Sequence, residues 1–309
     1  MTGGPTAESV RRAARELGFL ACGVAHLAPS RRGDALDRWL AAGYGGDMRY
    51  LHRQAGRRKA PDTIVRGART AVVLLENYLP PEPPRENREA IKVAGYARGR
   101  DYHLAMAERL ERMCDWLRER GAAIARPFVD AGPVPERELA ERAGLGWIGK
   151  NTMLIRPGAG SFFFIGSIFT DLALEPDAPF ELDRCGSCSR CLEACPTDAF
   201  VEPRVLDATR CISYLTIERK GPIPEEFAGR LEGWGFGCDI CNAVCPWNQR
   251  FAAPTPHAEY HERPLPDRSD PGYFERMTQE EFDRLFADTP FERPGLEGMR
   301  RNWRAAGRP

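Results

Sequence analysis

The 309-residue chain lacks a net charge and lacks any long apolar stretch. Its 44 basic and 44 acidic residues balance, so overall charge gives no indication of a polyanionic partner, although local patches can still bind one. No run of 18 apolar residues is present, which excludes a helical membrane span. The apolar run FLACGVA is short for a signal peptide and directly follows a charged segment. We therefore expect a cytoplasmic protein with no membrane partner.

The ten cysteines are crowded: eight fall within residues 185–245. Disulfides are rare in the cytosol, so this crowding points to a metal centre. The run CGSCSRCLEACP has the C-x2-C-x2-C-x3-C-P spacing of bacterial two-cluster ferredoxins, in which the fourth cysteine binds the other cluster. The second run, CDICNAVCP, lacks its first cysteine because Gly235 occupies that place, and Cys211 is the nearby substitute.

These runs predict two [4Fe–4S] clusters with four cysteines each. The first quartet is Cys185, Cys188, Cys191 and Cys245, and the second quartet is Cys195, Cys211, Cys238 and Cys241. The remaining Cys22 and Cys114 are predicted to be buried thiols. Structural zinc is the alternative, but zinc does not require the triple spacing or the Cys-Pro that closes both runs.

Hydrophobic periodicity predicts a fold in three parts. An α/β (α+β) domain is expected over residues 1–176, a two-cluster ferredoxin-like domain over 177–255, and a short helical C-terminal segment over 256–309 that packs back on the core. Helices are predicted over 6–17, 103–119 and 136–143, strands over 70–78 and 122–130, a Pro-rich loop over 79–89, and a two-stranded hairpin around 157–160. The C-terminal residues expected to pack back are Tyr273, Phe274, Met277, Phe282, Leu285 and Phe286.

The segment ERAGLGWIGKNT, residues 141–152, imitates two nucleotide-binding motifs. A dinucleotide fingerprint needs a strand before its glycines and a helix after them, but here the predicted order is reversed. The P-loop alternative fails because Asn151 stands where a hydroxyl should meet magnesium. Trp147 and Ile148 suit a packed surface better than a phosphate site. We therefore expect the glycines to serve packing or a different large ligand.

Several segments together resemble epoxyqueuosine reductases, in the same order along the chain. They are GYARGRDYH, VDAGPVPERELAERAGLGWIGKNTMLI, GSFFFIGSIFTDL, CGSCSRCLEACPTDAF, CISYLTIERKGPIP, GCDICNAVCPWN and TPFERPGLEGMRRN. The resemblance covers roughly residues 7–303 and implies a monomeric enzyme with cobalamin and two [4Fe–4S] clusters, related to corrinoid reductive dehalogenases. It implies a corrinoid-binding first domain, a tRNA substrate with epoxyqueuosine at the wobble position, and a low-potential electron donor.

The resemblance also assigns the site residues. Asp130 would be the proton donor, and we expect a poorly solvated pocket to raise its pKa. The alternative is that Asp130 only caps the following helix. The residues that would lie near the corrinoid are Arg58, Tyr102, His103, Lys150, Asn151, Ser213 and Asp239. His103 could in principle be a cobalt ligand, although the resemblance implies an open lower cobalt face.

Two departures from the family pattern and two basic stretches bear on function. Ser167 stands where the family commonly has Glu, and the chain ends before the helical-repeat domain with which many members hold tRNA, so we expect weaker tRNA binding.

Residues 49–69 carry seven basic residues and one acidic residue, and residues 291–309 are also basic. Such stretches can contact phosphates but are often only solvated. The alternative functions are a dehalogenase-like corrinoid reductase of small molecules and a non-catalytic ferredoxin-type electron carrier.

Overall fold

The computed structural model describes residues 4–81, 90–264 and 266–307. Its α-helices are α1 Ala7–Glu16, α2 Gly33–Ala41, α3 Arg49–Lys59, α4 Tyr102–Arg118, α5 Glu136–Arg142, α6 Arg190–Glu193, α7 Ile212–Ile217, α8 Ile240–Ala243, α9 Pro246–Phe251, α10 Gln279–Phe286 and α11 Gly295–Ala306. Its strands are β1 Ala21–His26, β2 Thr70–Asn77, β3 Lys92–Val93, β4 Ala125–Val129, β5 Trp147–Ile148, β6 Leu154–Ile155, β7 Phe163–Thr170, β8 Phe200–Glu202, β9 Val205–Leu206 and β10 Trp234–Phe236. The predicted Pro-rich loop falls largely on residues 82–89, which lie outside the described residues.

A four-stranded antiparallel sheet with strand order β1-β2-β7-β4 forms the centre of the first part of the chain. Helices α1 and α4 pack on one face, and α5 packs on the other. Because both faces are covered, β2 is an almost continuous apolar run whose residues Ala71–Leu75 are fully buried. The fold is therefore a mixed α/β sandwich, and its antiparallel sheet makes it α+β in type.

The hairpin predicted around residues 157–160 is wrong in its pairing. A turn is present, closed by a bridge between Arg156 and Gly160, but its two flanking strands join different sheets. β6 pairs with β5, whereas β7 lies between β2 and β4 in the central sheet. The reason is that β7 is apolar on both faces, and such a strand is stable only where both faces are covered.

The C-terminal helices α10 and α11 cover the small parallel pair formed by β3 and β10. Helix α10 begins with a capping box between Thr278 and Glu281. The six C-terminal residues expected to pack back on the core all belong to this aromatic cluster, which surrounds the buried Trp303. Because β3 comes from the first predicted domain and β10 from the second, this core joins all three parts of the chain. None of the helices in the described residues has the length and apolar character needed to cross a bilayer.

Candidate functional site

The first quartet of thiols lines a cavity of about 210 Å³. The residues are Cys185, Cys188, Cys191 and Cys245. Burial is the main cause that raises the pKa of Cys191, and the charges of the other three thiols add to it, which places all four close together. Cys245 comes from the second cysteine run, so the structure assembles this quartet across the two runs as predicted.

The second quartet also comes together. Burial raises the pKa of Cys238 to about 12, and the nearby charges of Cys211 and Cys195 contribute. The pKa of Cys241 is raised well above its ordinary value by burial first and then by Cys211 and Cys238. The four remaining cysteines of the two runs and the intervening segment therefore form one group.

Short helices direct backbone N–H groups at these thiols. Cys211 is the N-cap of α7 without a capping hydrogen bond; burial raises the pKa of its thiol, and the nearby backbone N–H groups of Ser213 and Tyr214 oppose that rise. Cys245 is likewise the N-cap of α9 without a capping hydrogen bond, and the N–H groups of Trp247 and Asn248 oppose the rise in its pKa that burial causes. Helix N-termini stabilise thiolates, and hydrogen bonds to cluster sulfurs set the reduction potential.

The thiols of the first quartet line a space that is large enough for a metal centre of several atoms. Among the residues that the structure describes, no group of three or more His, Cys, Asp or Glu side chains is arranged to hold one metal ion. Structural zinc requires four ligands at about 2.0 to 2.3 Å from a shared centre. A [4Fe–4S] cube holds its cysteines around a larger body, and the cavity within the first quartet fits this requirement.

Neighbouring charges connect the two quartets with each other and with Asp130. Cys191 of the first quartet is close enough to Cys241 of the second for its charge to raise the pKa of Cys241. The half-buried Tyr96 lies near Asp239, Asp130 and Cys211, because burial raises its pKa and the charges of these three groups add to the rise. Tyr96 therefore stands close both to Asp130 and to a thiol of the second quartet.

Asp130 follows β4, and two side chains at the start of α4 hold its carboxylate. Tyr102 Oη donates to Asp130 Oδ2 at 2.6 Å, and His103 Nε2 lies 3.5 Å from the same oxygen. The other ring nitrogen of His103 is 2.8 Å from Asp101 Oδ1. Asp130 has a φ of 52°, a left-handed conformation that aspartate adopts more readily than most residues. Three of the predicted site residues are thus brought together by direct contacts.

The pKa of Asp130 is lowered, whereas the sequence analysis expected it to be raised. Burial does raise that pKa, but the hydrogen bonds from His103 and Tyr102 outweigh burial, and the pKa is lowered overall. Burial lowers the pKa of His103, but the carboxylates of Asp101 and Asp130 outweigh it and raise the pKa to about 9. At neutral pH Asp130 is therefore ionised and His103 is protonated. The expectation was wrong because it did not include the two donors that contact the carboxylate.

Glu136 and Arg137, which the sequence analysis missed, also belong to this cleft. Glu136 Oε1 accepts the N–H of Asp130 at 2.7 Å, and burial followed by the Asp130 charge raises the pKa of Glu136 to about 8. Arg137 donates to the carbonyl of Thr152 at 2.7 Å.

The Asp130 side chain is 63% exposed, yet the surrounding protein still desolvates its charge. A group that is both exposed and desolvated lies on the wall of a concave surface, here called the Asp130 cleft. Glu136 and Arg137 were missed because their sequence segment, PERE (residues 135–138), indicated only the start of a helix.

Arg58 fixes the loop that follows Asp130. Its guanidinium donates to the carbonyl oxygens of Gly132 at 3.1 Å and Val134 at 3.3 Å, and its buried Nε has no partner among the described residues. The helix that follows this loop has Pro135 as its N-cap, with no side-chain capping bond. The interpretation of Asp130 as a helix cap is therefore wrong.

Lys150 and Asn151 lie at the cysteine loops. Lys150 Nζ donates to the carbonyl oxygens of Gly186 at 2.7 Å and Cys188 at 2.9 Å. Asn151 is 2% exposed, and its Nδ2 is 3.3 Å from the carbonyl oxygen of Cys241. Both side chains thus contact the backbone around the quartets, and their expected position at a corrin rim stays a prediction.

The glycines between Lys150 and the end of α5 allow close packing of backbone. A Cβ on Gly146 would lie 2.2 Å from the carbonyl oxygen of Ile155, and one on Gly149 would lie 2.5 Å from the side chain of the same residue. Gly144 has a φ of 69° where α5 ends. The expectation of a packed segment, in place of a phosphate-binding loop, agrees with these contacts.

Ser213 and Asp239 lie beside the second quartet. Ser213 lies beside Cys211, because its backbone and its side chain both oppose the rise in the Cys211 pKa that burial causes. Asp239 Oδ2 accepts the N–H of Gly95 at 2.7 Å, and burial raises the pKa of Asp239. The charge of Asp239 also raises the pKa of Tyr96, so Asp239 lies near the path from the second quartet to the Asp130 cleft.

Two protein families match separate parts of the chain. Residues 184–248 match the 4Fe-4S double cluster binding domain, and residues 58–131 match the family described as epoxyqueuosine reductase QueG, DUF1730. An epoxyqueuosine reductase of Cyclobacterium marinum is 42% identical over 295 residues, which are 95% of this chain and 94% of that protein.

Solved structures give the same relationship. The crystal structure of an epoxyqueuosine reductase with an epoxyqueuosine-modified tRNA-Tyr stem loop matches with a TM-score of 0.88 and 30% identity, covering 97% of this chain and 80% of the other. A structure of the Bacillus subtilis epoxyqueuosine reductase, with its aspartate-containing catalytic loop swung out of the active site, matches with a TM-score of 0.84 and 29% identity, with coverages of 97% and 80%.

Proposed function

This chain belongs to the epoxyqueuosine reductase family, and we propose that it reduces epoxyqueuosine to queuosine at the wobble position of tRNA. The observation that carries the proposal is the position of Asp130. Its carboxylate contacts Tyr102 and His103 in a cleft that approaches the second cysteine quartet through Tyr96. A proton-handling group therefore adjoins a predicted source of electrons, as the removal of an epoxide oxygen requires.

The reaction consumes two electrons and two protons, breaks both carbon–oxygen bonds of the epoxide, and releases water. Cobalamin held at the cleft would supply low-potential reducing power, and two [4Fe–4S] clusters held by the quartets would supply the electrons singly. We propose the first quartet, whose thiols line an open cavity, as the side on which an electron donor docks, and the second quartet, which lies near Tyr96, as the side towards Asp130.

The walls of the Asp130 cleft fit a large polar cofactor. Arg58 has a buried Nε without a partner among the described residues, and Asp130 is exposed while still desolvated. We assign Arg58, Tyr102 and His103 to the cofactor-facing wall, with Ser213 and Asp239 on the side of the second cluster. Lys150 and Asn151 are assigned a supporting role, since they fasten the glycine segment to the cluster loops.

The protons are held by groups around Asp130. His103 contacts a carboxylate through each ring nitrogen, so we assign it to proton supply and not to cobalt. In the proposed reaction, protonated His103 passes a proton to Asp130, and Asp130 delivers it to the epoxide oxygen. Bound substrate would exclude water from the cleft and so raise the pKa of Asp130 for this transfer. The protonated Glu136 beside the Asp130 backbone is a second proton store.

The remaining partners follow from the same proposal. Besides tRNA, the enzyme would need a low-potential electron donor, and we propose that it works as a monomer in the cytoplasm. We propose residues 1–176 as the cobalamin-binding part, 177–255 as the cluster-binding part and 256–309 as a C-terminal segment that completes the core. The alternatives of a small-molecule reductase and a non-catalytic electron carrier are not favoured, because the relatives that match nearly the whole chain are epoxyqueuosine reductases.

The test is anaerobic incubation of the reconstituted protein with epoxyqueuosine-containing tRNA, cobalamin and a strong reductant, followed by nucleoside mass spectrometry. The wild type should remove one oxygen atom. Asp130→Ala should lower the rate by at least about 10²-fold, the usual contribution of a positioned acid. Asp115→Ala, which alters an exposed aspartate of α4 paired with Arg118, is the matched control. Full activity of the Asp130 variant would contradict the assigned role, and an inactive wild type would contradict the function.

A further inference from the structure

Helix α3 has no acidic residue and no fully buried residue, and its half-buried face includes Tyr50, Gln54 and Arg58. Its residues Arg49, Arg53 and Arg57 are spaced by four, so they lie on one face of the helix and are exposed. None of the three makes a side-chain hydrogen bond or an ion pair with any residue that the structure describes. They are called the basic stripe below.

A structural explanation of the basic stripe is weak. An exposed helix without a buried face is ordinarily supported by pairs of opposite charge at a spacing of four. Here that spacing places like charges next to one another, which destabilises a helix. In contrast, the neighbouring Lys59 does have a partner, Asp37, at 2.7 Å. The stripe therefore leaves three guanidinium groups open to an external anion.

The basic stripe adjoins the Asp130 cleft. Arg58, one position from the stripe, donates to the loop that follows Asp130. Tyr50, at the other end of the helix, is close enough to Asp130 for that charge to raise its pKa, after burial and Glu218. The guanidinium of Arg293 lies 5.7 Å from the centre of the Tyr50 ring, so a second basic residue stands at the same rim.

The spacing of the stripe fits a strand of RNA. Successive arginines are about 6 Å apart along the helix axis, which suits contacts to consecutive phosphates. Guanidinium groups bind phosphate oxygens in a bidentate manner. A base that is splayed out of a loop into a cleft leaves the neighbouring phosphates at the cleft rim. We propose that Arg49, Arg53 and Arg57 bind the phosphates of the anticodon loop while the wobble nucleotide enters the Asp130 cleft. This inference rests on the proposed function.

The direct test is the affinity for a fluorescein-labelled anticodon stem-loop RNA, measured by anisotropy over a series of salt concentrations. The triple variant R49Q/R53Q/R57Q keeps good helix-forming residues. It should bind at least about 10-fold more weakly at 0.1 M salt, and the slope of log affinity against log salt should become shallower by about 2 to 3, one unit or slightly less for each lost phosphate contact.

The matched control is R12Q/R112Q/R120Q, which removes the same charge from exposed positions on α1 and on or just beyond α4. Arg112 lies about 15 Å along α4 from the cleft residue Tyr102. The control should change the affinity less than about 2-fold, because distant charges are screened at this salt concentration. Equal weakening by both triple variants would overturn the proposal, as would an unchanged salt slope for the stripe variant. Should the triple variant lose iron or fold poorly, the single substitution Arg53→Glu carries the same comparison.

Activity separates this inference from the proposed function. With epoxyqueuosine-containing tRNA as substrate, the stripe variant should raise KM more than it lowers kcat. If the wild type reduces the tRNA and the stripe variant has an unchanged KM, the proposed role of the basic stripe is wrong and the proposed function stands. If the wild type does not reduce the tRNA but the stripe variant alone loses RNA affinity, the function is wrong and the stripe remains an RNA-binding surface.

Discussion

At the scale of single residues, the contacts of a carboxylate decide its charge. Asp130 is surrounded by enough protein for burial to oppose its ionisation, yet donors from Tyr102 and His103 keep its pKa low. The proton is held instead on His103, between two carboxylates, and on the half-buried Glu136, which contacts the Asp130 backbone. The cleft therefore stores protons next to Asp130 without neutralising it in the free protein.

The protonated state of His103 should make the stability of the protein depend on pH. Its pKa is raised from an ordinary 6.5 to about 9 in the folded protein. The stabilisation is therefore fully present below about pH 6.5 and is lost as the pH rises through about 9. The free energy of unfolding, measured in urea, should fall across this window for the wild type, and His103→Gln should reduce the fall. The effect will be modest because the side chain is 38% exposed.

Two further variants make this measurement specific. Glu136 also has a raised pKa, so its contribution falls in the same direction between about pH 4.5 and 8. Glu136→Gln should therefore flatten the lower part of the window, whereas His103→Gln flattens the upper part. His26→Gln, an exposed change at the end of β1, is the control. Parallel curves for the His103 variant and the wild type would contradict the assignment.

At the scale of elements, the segment from β5 to β6 connects the sandwich to the cluster loops. Its glycines let the backbone of one strand approach the other, and Lys150 and Asn151 then reach the carbonyl groups around the cysteines. The segment is therefore a structural link between the sandwich and the cysteine loops, and its glycines serve close packing, which explains why a phosphate-loop pattern occurs here without the corresponding helix.

Gly146→Ala should destabilise the protein. The added Cβ would lie 2.2 Å from a backbone oxygen, which cannot rotate away, so we expect a cost of about 1 to 3 kcal/mol in the free energy of unfolding. Gly56→Ala is the matched comparison, since Gly56 lies within α3 and a Cβ added there would have no atom within 4 Å. That change should stabilise by about 0.5 to 1 kcal/mol. Denaturant titration of the reconstituted proteins checks both, and equal stabilities would refute the close contact.

At the scale of the whole molecule, the cysteine runs are interleaved between two clusters. Cys245, from the second run, lies with three cysteines of the first, and Cys195, from the first run, lies with the other group. The exchange of one ligand in each direction ties the two halves of the cluster-binding region together and holds the clusters close to each other.

This interleaving predicts which substitutions remove the same cluster. Cys245→Ala should abolish the same electron paramagnetic resonance signal as Cys188→Ala, and Cys195→Ala should abolish the other. Each variant should lose about half of its iron and acid-labile sulfide, because each cluster needs all four thiolates. Cys22→Ala, which changes a thiol outside both quartets, should keep the full iron content. A shared signal loss for Cys195 and Cys188 would reassign the quartets.

Much of this could be predicted from local sequence. The helix periodicity, the strand that became β2 and the aromatic residues of the C-terminal helices depend on short-range pattern, and the structure has them near the predicted positions. The strands that pair with β7 could not be predicted, because the pairing depends on which distant strands form a sheet that is covered on both faces. The low pKa of Asp130 was missed for the same reason: its donors lie 27 and 28 residues away in sequence.

The sequence by itself determined the two cysteine quartets and the likeness to epoxyqueuosine reductases, because ligand spacing and motif order are properties of the covalent chain. Only the tertiary structure decided that Lys150 and Asn151 lie at the cysteine loops, that Tyr96 stands near both Asp130 and the second quartet, and that Arg58 of α3 reaches the loop after Asp130. These features depend on distances between residues that are far apart in the chain, and such distances are fixed by packing.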